Sequence, residues 1–103
     1  MKYKLIITPE AVDEIQNAID YYNEKKKGLG KRFYVDLQKQ FSQIARNPLY
    51  RSLRYDNIRF AHLDTFPYAA HYDITNDIII IQAVLCDYQN PEEEWNIRMK
   101  IVT

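Results

Sequence analysis

The spacing of apolar residues changes once along this chain and divides it into a helical part and a strand-rich part. Tyr3 to Ile7 forms a short run of β-forming residues, and apolar positions then recur every three or four residues up to Asn47, as on the buried side of an amphipathic helix. After Pro48 the period approaches two, which is typical of strands. The pattern predicts one strand, two helices and a group of strands, in that order.

Two helices are predicted before Pro48. Thr8 and Pro9 supply an N-cap and a first helical residue, and the lysines and glycine of residues 24–28 end the first helix. The second helix ends by Asn47, because a proline disfavours helical geometry in the residue before it. So short a connection predicts an antiparallel helical hairpin. The residues expected to face the core are Ala11, Val12, Ile15, Ala18, Ile19, Tyr22, Phe33, Leu37, Phe41, Ile44 and Ala45.

Four further strands are predicted, at Arg51 to Tyr55, Ile58 to Leu63, Tyr68 to Ile74 and Ile78 to Leu85. The turns between them are short enough to require antiparallel pairing. The last run, IIIIQAVL, offers apolar side chains to both faces, so we expect a central strand. The expected fold is α+β: an N-terminal strand and an antiparallel helical hairpin packed on a mostly antiparallel sheet.

Length and composition predict a single cytoplasmic domain over residues 1–103. Apolar residues make up 47% of the chain, enough for one modest core. A single cysteine forms no internal disulfide, and the N-terminal residues lack the features of a secretory signal. The longest apolar run, residues 78–85, is far shorter than the roughly 20 residues that span a bilayer. We therefore expect no membrane association.

The formal net charge is zero, but basic residues concentrate in the first part of the chain. Residues 1–60 hold 12 Lys and Arg against 7 Asp and Glu, whereas residues 61–103 hold 2 against 7. This distribution permits a local anionic partner, either nucleic acid or an acidic protein segment. The alternative is a set of ordinary solvated charges on two exposed helices.

Four segments resemble the RelE/ParE family of toxins from bacterial type II toxin–antitoxin, or plasmid stabilisation, systems. They are the TPEA start of the first helix, YYNEKKKGLGKRF between the helices, NPLYRSLRYDNIRFAHLDTFPY in the middle and IIIIQAVLCDYQNPEEEW near the end. The resemblance covers nearly the whole chain. It implies a RelE/ParE-like toxin fold and a small cytoplasmic toxin neutralised by a cognate antitoxin. It also implies no cofactor, and no direct DNA binding without the antitoxin.

The resemblance implies two alternative targets. RelE-like members are ribosome-dependent mRNA endoribonucleases, and ParE-like members inhibit DNA gyrase. Related sequences commonly carry a histidine and an arginine where this chain has Cys86 and Gln89. RNA cleavage needs proton transfer and positive charge on the phosphate, and Asp87 and Gln89 supply none of that charge. The departure weighs against ribonuclease chemistry and leaves enzymatic activity undecided.

Three arginines could restore positive charge. Arg54 and Arg59 flank the turn at residues 56–57, and Arg51 precedes them. They are candidates for contact with a target or antitoxin, or else exposed strand charges that discourage edge pairing. Arg54 and Arg59 are also weak catalytic candidates, together with Tyr88, whose hydroxyl needs a lowered pKa for that role.

The sequence gives little support for a metal site or for a reactive thiol. If the loop between their strands is symmetric, His62 and His71 lie opposite each other. Two histidines without further ligands make a poor metal site, so no metal is expected. Cys86 is a candidate nucleophile, or a small half-buried residue at a strand end.

Two main functions therefore remain. A ParE-like inhibitor needs only an exposed surface, which Lys26, Lys27, Lys31 and Arg32 at the helical turn could provide. A RelE-like nuclease needs a cluster of basic and proton-transferring groups. We favour the inhibitor. A third possibility is an attenuated toxin that retains only antitoxin binding.

Overall fold

The predicted order of elements is confirmed in a computed structural model, which describes residues 3–87. Within that range the chain forms five strands and two helices: β1 Lys4–Ile7, α1 Pro9–Lys25, α2 Leu29–Arg46, β2 Leu53–Tyr55, β3 Ile58–His62, β4 Tyr68–Thr75 and β5 Ile78–Cys86. Neither of these helices is long and apolar enough to span a membrane.

The strands form one mostly antiparallel sheet in the order β1-β5-β4-β3-β2. Each neighbouring pair from β2 to β5 is antiparallel, as the short turns require, whereas β1 runs parallel to β5. The helical hairpin carries the chain from β1 at one edge to β2 at the other. The predicted last strand, β5, is therefore an interior strand with a partner on each side.

Local contacts explain where α1 begins and ends. The Thr8 side chain accepts a hydrogen bond from the Ala11 amide at 3.2 Å, as an N-cap does. The Thr8 amide also donates to the Ile81 carbonyl, which fixes the start of the helix against β5. At the other end, the amide of Lys26 donates to the Tyr22 carbonyl.

Both helices pack on one face of the sheet and form the main core there. The buried residues of this core are Ala11, Ile15, Ala18, Phe33, Leu37, Ile44, Ala61, Leu63, Phe66, Ala70, Tyr72, Ile79, Ile81 and Val84. The prediction for Val12 is wrong, because this side chain is 50% exposed. The buried side of α1 follows Ala11, Ile15 and Ala18, and Val12 lies one residue beyond it.

A smaller apolar cluster lies on the opposite face of the sheet. Its buried members are Ile58, Ala83 and Leu85, with Phe60 packed against them. The pairing of β4 with β5 shifts register at Gln82. Because of this shift, β5 presents Ile79 and Ile81 to the helices before Gln82 and Val84 after it.

The predicted pairing of the two histidines is wrong. His71 lies opposite Phe60, and His62 lies opposite Ala69. The Leu63 amide donates to the Tyr68 carbonyl, so the hairpin closes about one residue earlier than the symmetric loop that was assumed. The Phe60 and His71 rings stack instead, with their centres 3.9 Å apart.

Candidate functional site

The four cations predicted at the helical turn lie close together in the chain and are all exposed. We call Lys26, Lys27, Lys31 and Arg32 the turn surface. Lys26 and Lys27 follow the last residue of α1, and Lys31 and Arg32 lie in the first turn of α2.

Two glycines and one asparagine fix the shape of this turn. Gly28 has φ of 84°, a left-handed conformation that glycine adopts without strain. Gly30 lies so close to α1 that a Cβ atom there would be 2.5 Å from the Ile19 carbonyl oxygen. The Gly30 amide also donates to the Asn23 side chain at 2.9 Å. The turn surface is therefore presented on a tightly packed backbone.

An open groove of about 360 Å³ adjoins the turn surface, between α2 and the loop that follows β3. It is lined by Lys31, Arg32, Val35, Asp36, Lys39 and Thr65. Val35 is 58% exposed, so the groove offers apolar surface beside its cations. A partner segment that combines carboxylates with apolar side chains would match this lining.

Asp36 fixes the loop after β3, which forms one side of the groove. Its carboxylate is buried in α2 and accepts hydrogen bonds from the Thr65 amide at 2.9 Å and the Asp64 amide at 3.4 Å. Lys39 pairs with Asp64 at 2.8 Å. The hydrogen bond and charge of Asp64 raise the pKa of Lys39 above its ordinary value.

Arg51 makes contacts within the molecule. Its guanidinium donates to the Gln40 side chain at 3.0 Å and to the Gln43 side chain at 3.4 Å. Gln40 is 1% exposed, and a buried amide needs such partners because its desolvation is costly. Arg51 therefore ties the segment after α2 to the helix itself.

Arg59 also holds the segment after α2 in place. Its guanidinium donates to the backbone carbonyl of Arg51. Nearby, the buried Tyr72 hydroxyl donates to the Pro48 carbonyl at 2.7 Å. Two side chains from the sheet thus hold the backbone of residues 47–52, which we call the connector. Arg51 and Arg59 act here as parts of the fold.

Arg54 is the exposed arginine of this hairpin, and it lies on the face of the sheet opposite the helices. Its guanidinium carbon is 5.6 Å from the centre of the Phe60 ring. The His62 ring centre is 6.5 Å from the same ring. His62 Nδ1 lies 3.4 Å from an Asp87 carboxylate oxygen, and both side chains are about half exposed. We call Arg54, Phe60, His62, His71 and Asp87 the Phe60 face.

The Phe60 face contains some of the groups that acid–base chemistry requires. A general acid or base is often an imidazole that a carboxylate positions, and Arg54 supplies a positive charge. The Asp87 carboxylate beside His62 is negatively charged and would repel a phosphate that approached it. Sequence reasoning missed the pair because His62 ends β3 whereas Asp87 follows β5, so the two residues are far apart in the chain.

The segment that carries Cys86 is described only up to Asp87. Cys86 ends β5 opposite Tyr68 and is half-buried, and the Asp87 amide donates to the Pro67 carbonyl at 2.7 Å. The predicted candidate Tyr88 and the neutral Gln89 lie outside the described residues. Within residues 3–87, no group of three or more His, Cys, Asp and Glu side chains is placed to hold a metal ion.

Two buried polar residues of α2 were also missed at the sequence level, although a signal was present. Asp36 and Gln40 occupy helical positions three and seven residues after Phe33, on the same side as the apolar residues. A polar residue at such a position indicates a buried group with a specific partner. Here the partners are the loop after β3 and Arg51.

Comparisons with solved structures show the fold. A chromosomal ParDE toxin–antitoxin system from P. aeruginosa contains a chain with a TM-score of 0.75 and 16% identity, covering 82% of this chain and 96% of that one. The isolated E. coli RelE toxin has a TM-score of 0.64 and 15% identity, covering 94% of this chain and 97% of that one. No curated protein matches the sequence.

Family membership follows from the sequence match. Residues 5–91 match the family described as the ParE toxin of the type II toxin–antitoxin system parDE. The match spans most of the chain and includes both helices, the turn surface, strands β2 to β5 and all of β1 except Lys4. The chain belongs to the ParE toxin family of type II toxin–antitoxin systems.

Proposed function

We propose that this toxin acts as a ParE-like inhibitor, binding a protein target such as DNA gyrase without chemistry of its own. In this proposal it works in the cytoplasm, and a cognate antitoxin neutralises it. The turn surface and its groove carry the proposal. They combine four exposed cations with the exposed Val35 on a backbone fixed by Gly30.

The alternative, in which positive charges bind a phosphate of RNA for cleavage, is less well supported. A phosphate-cleaving site needs several cationic groups free to meet the phosphate. Arg51 and Arg59 instead donate to Gln40 and to the connector backbone. By contrast, the turn surface has an open groove beside it and needs only a complementary acidic partner.

The proposal is tested by reversing charge on the turn surface. Lys26, Lys27 and Lys31 are each replaced by Glu, and inhibition of DNA supercoiling by purified gyrase is measured. The parent should inhibit supercoiling. The variant should lose most of this inhibition while its stability changes little, because exposed charges contribute modestly to folding.

A matched control reverses three exposed cations elsewhere. Replacing Lys4, Arg46 and Arg54 by Glu gives the same net charge but leaves the turn surface intact. This control should retain gyrase inhibition. A parent without effect on gyrase, or a control that loses inhibition as fully as the turn variant, contradicts the proposal.

One observation favours a second candidate, the RelE-like mRNA endonuclease. The pair formed by His62 and Asp87 lies beside the same Phe60 ring as Arg54. If the parent cuts ribosome-bound mRNA in a purified translation system, His62→Gln and Arg54→Ala should each remove cutting. The turn variant should then cut normally.

The third possibility, an attenuated toxin, gives a different pattern. Such a chain would bind its antitoxin but would neither inhibit gyrase nor cut mRNA. The two assays above, performed with one antitoxin-binding preparation, distinguish all three functions.

A further inference from the structure

Three large apolar side chains are exposed within five consecutive positions, two of them in the connector and one at the start of β2. Leu49 is 61% exposed, Tyr50 73% and Leu53 53%. We call these three residues the connector surface. Single exposed apolar residues are ordinary, but a group of them on one short segment indicates a place where another molecule packs. The other large apolar side chains exposed in residues 3–87 lie on β1, α1 and α2.

The backbone beneath the connector surface is held by buried and half-buried contacts. Tyr72 donates to the Pro48 carbonyl, and Arg59 donates to the Arg51 carbonyl. The Arg51 side chain reaches back to Gln40. A flexible loop would let its leucines turn inward, whereas this connector keeps them outward on a fixed backbone. Such pre-organisation reduces the entropy that a partner must overcome on binding.

The segment that carries the connector surface has charges of only one sign. Residues 46–55 contain three arginines and no acidic residue. Arg46 and Arg54 are exposed at the two ends of this segment, and the Arg51 guanidinium carbon lies 5.1 Å from the centre of the Tyr50 ring. A complementary partner therefore presents carboxylates around an apolar centre.

We propose that the connector surface is a docking site for an acidic amphipathic segment of the antitoxin. The inference rests on the proposed function, because it assumes that the cognate antitoxin binds this toxin. Two of the three exposed side chains are leucines, which have no aromatic face on which a base could stack. Nucleic acid is bound chiefly by stacking aromatics and cations, so this composition favours a protein segment.

The test uses the antitoxin encoded by the reading frame that adjoins the toxin gene, purified and titrated against the toxin by calorimetry. The triple variant Leu49→Ser, Tyr50→Ser, Leu53→Ser should bind about 30-fold more weakly than the parent, the range found when interface anchors are truncated. Its circular dichroism spectrum and melting temperature should remain close to those of the parent, because the replaced side chains are exposed.

A matched control carries the same types of substitution on the helices. Val12→Ser, Tyr21→Ser and Tyr34→Ser also remove three large apolar side chains at exposed helical positions, and none of them lines the groove beside the turn surface. This control should bind the antitoxin within about threefold of the parent, since surface changes away from an interface have small effects. Loss of binding in the control but not in the connector variant would overturn the inference and place the antitoxin on the helices.

Reversing the charges beside the connector surface provides an independent test. Replacing Arg46 and Arg54 by Glu should weaken antitoxin binding at low salt, and the difference from the parent should shrink as salt rises, because exposed charges are screened. If a 20-nucleotide polyuridine RNA binds the parent and the connector variant loses that binding while keeping the antitoxin, the surface binds nucleic acid and the inference is wrong.

The outcomes for the two proposals are distinguishable. Failure of the parent to bind the antitoxin would overturn the antitoxin part of the proposed function, and this inference with it. Normal antitoxin binding by both parent and connector variant would overturn this inference alone.

Discussion

Removing one buried hydroxyl tests whether the connector is held from the sheet. Tyr72 is fully buried, and its hydroxyl donates to the Pro48 carbonyl at 2.7 Å. Tyr72→Phe keeps the ring in the core and removes only this donor. We expect the variant to fold but to be less stable than the parent, because a buried carbonyl loses its partner.

The size of the effect follows from the surroundings. A typical hydrogen bond contributes about 0.5–1.5 kcal/mol, and leaving a buried acceptor unsatisfied costs about 1–3 kcal/mol. Pro48 is buried, so water does not easily replace the hydroxyl. We therefore expect a loss of about 1–3 kcal/mol in the free energy of unfolding. In a domain near this size each kcal/mol lowers the melting temperature by about 4–8 °C.

Urea unfolding followed by far-ultraviolet circular dichroism measures this loss. Tyr34→Phe is the matched control, because the Tyr34 hydroxyl accepts a hydrogen bond of the same length from Gln38 on an exposed helix surface. It should change the unfolding free energy by less than about 0.5 kcal/mol. Equal effects of the two substitutions would refute the reasoning.

Comparison of Tyr72→Phe with the parent also predicts how stability changes with pH. Burial raises the pKa of the Tyr72 hydroxyl above 10.0, although the Arg51 and Arg59 charges partly oppose the rise. Above pH 10.0 the unfolded tyrosine loses its proton first, so the parent loses stability as the pH rises further. Tyr72→Phe should lose less over that interval than the parent. An identical alkaline loss in both proteins would contradict this account.

Three further outcomes are expected. Gly30→Ala should lower the unfolding free energy by about 1–3 kcal/mol, because the added Cβ would meet the Ile19 carbonyl. An unchanged urea midpoint would contradict this expectation. Bound antitoxin should raise the melting temperature in proportion to the logarithm of its concentration, since it binds the folded form; identical melting curves with and without it would count against antitoxin binding. If the chain arrests growth as an inhibitor, Cys86→Ser and Tyr88→Phe should both still arrest it, and loss of arrest in a folded variant would favour an enzyme.

The order of elements could be predicted from local signals. Thr8 and Pro9 mark the start of α1, Pro48 follows the end of α2, and two-residue turns separate β2 from β3 and β4 from β5. Each signal acts between residues that are close in sequence. The parallel pairing of β1 with β5 and the register of His62 were not predicted, because they depend on contacts between distant segments.

The roles of the charged residues were harder to predict for the same reason. Arg51, Arg54 and Arg59 look alike in the sequence, as cations on one hairpin. Which of them faces inward depends on Gln40, 11 residues before Arg51 in the chain, and on the path of the connector. Buried polar partners determine which arginine faces inward, and the positions of these partners follow only from the packed fold.

This difference among the arginines determines how their substitution must be interpreted. Arg59→Ala removes a charged donor from the Arg51 carbonyl and should cost about 1–3 kcal/mol of stability. Arg54→Ala removes an exposed guanidinium over Phe60 and should cost less than about 1 kcal/mol. Loss of growth arrest in Arg59→Ala alone, with a lowered melting temperature, would therefore report a disturbed connector. Loss in Arg54→Ala, with the melting temperature unchanged, would place that guanidinium in contact with the target. Equal melting temperatures for both variants would show that Arg59 does not support the fold.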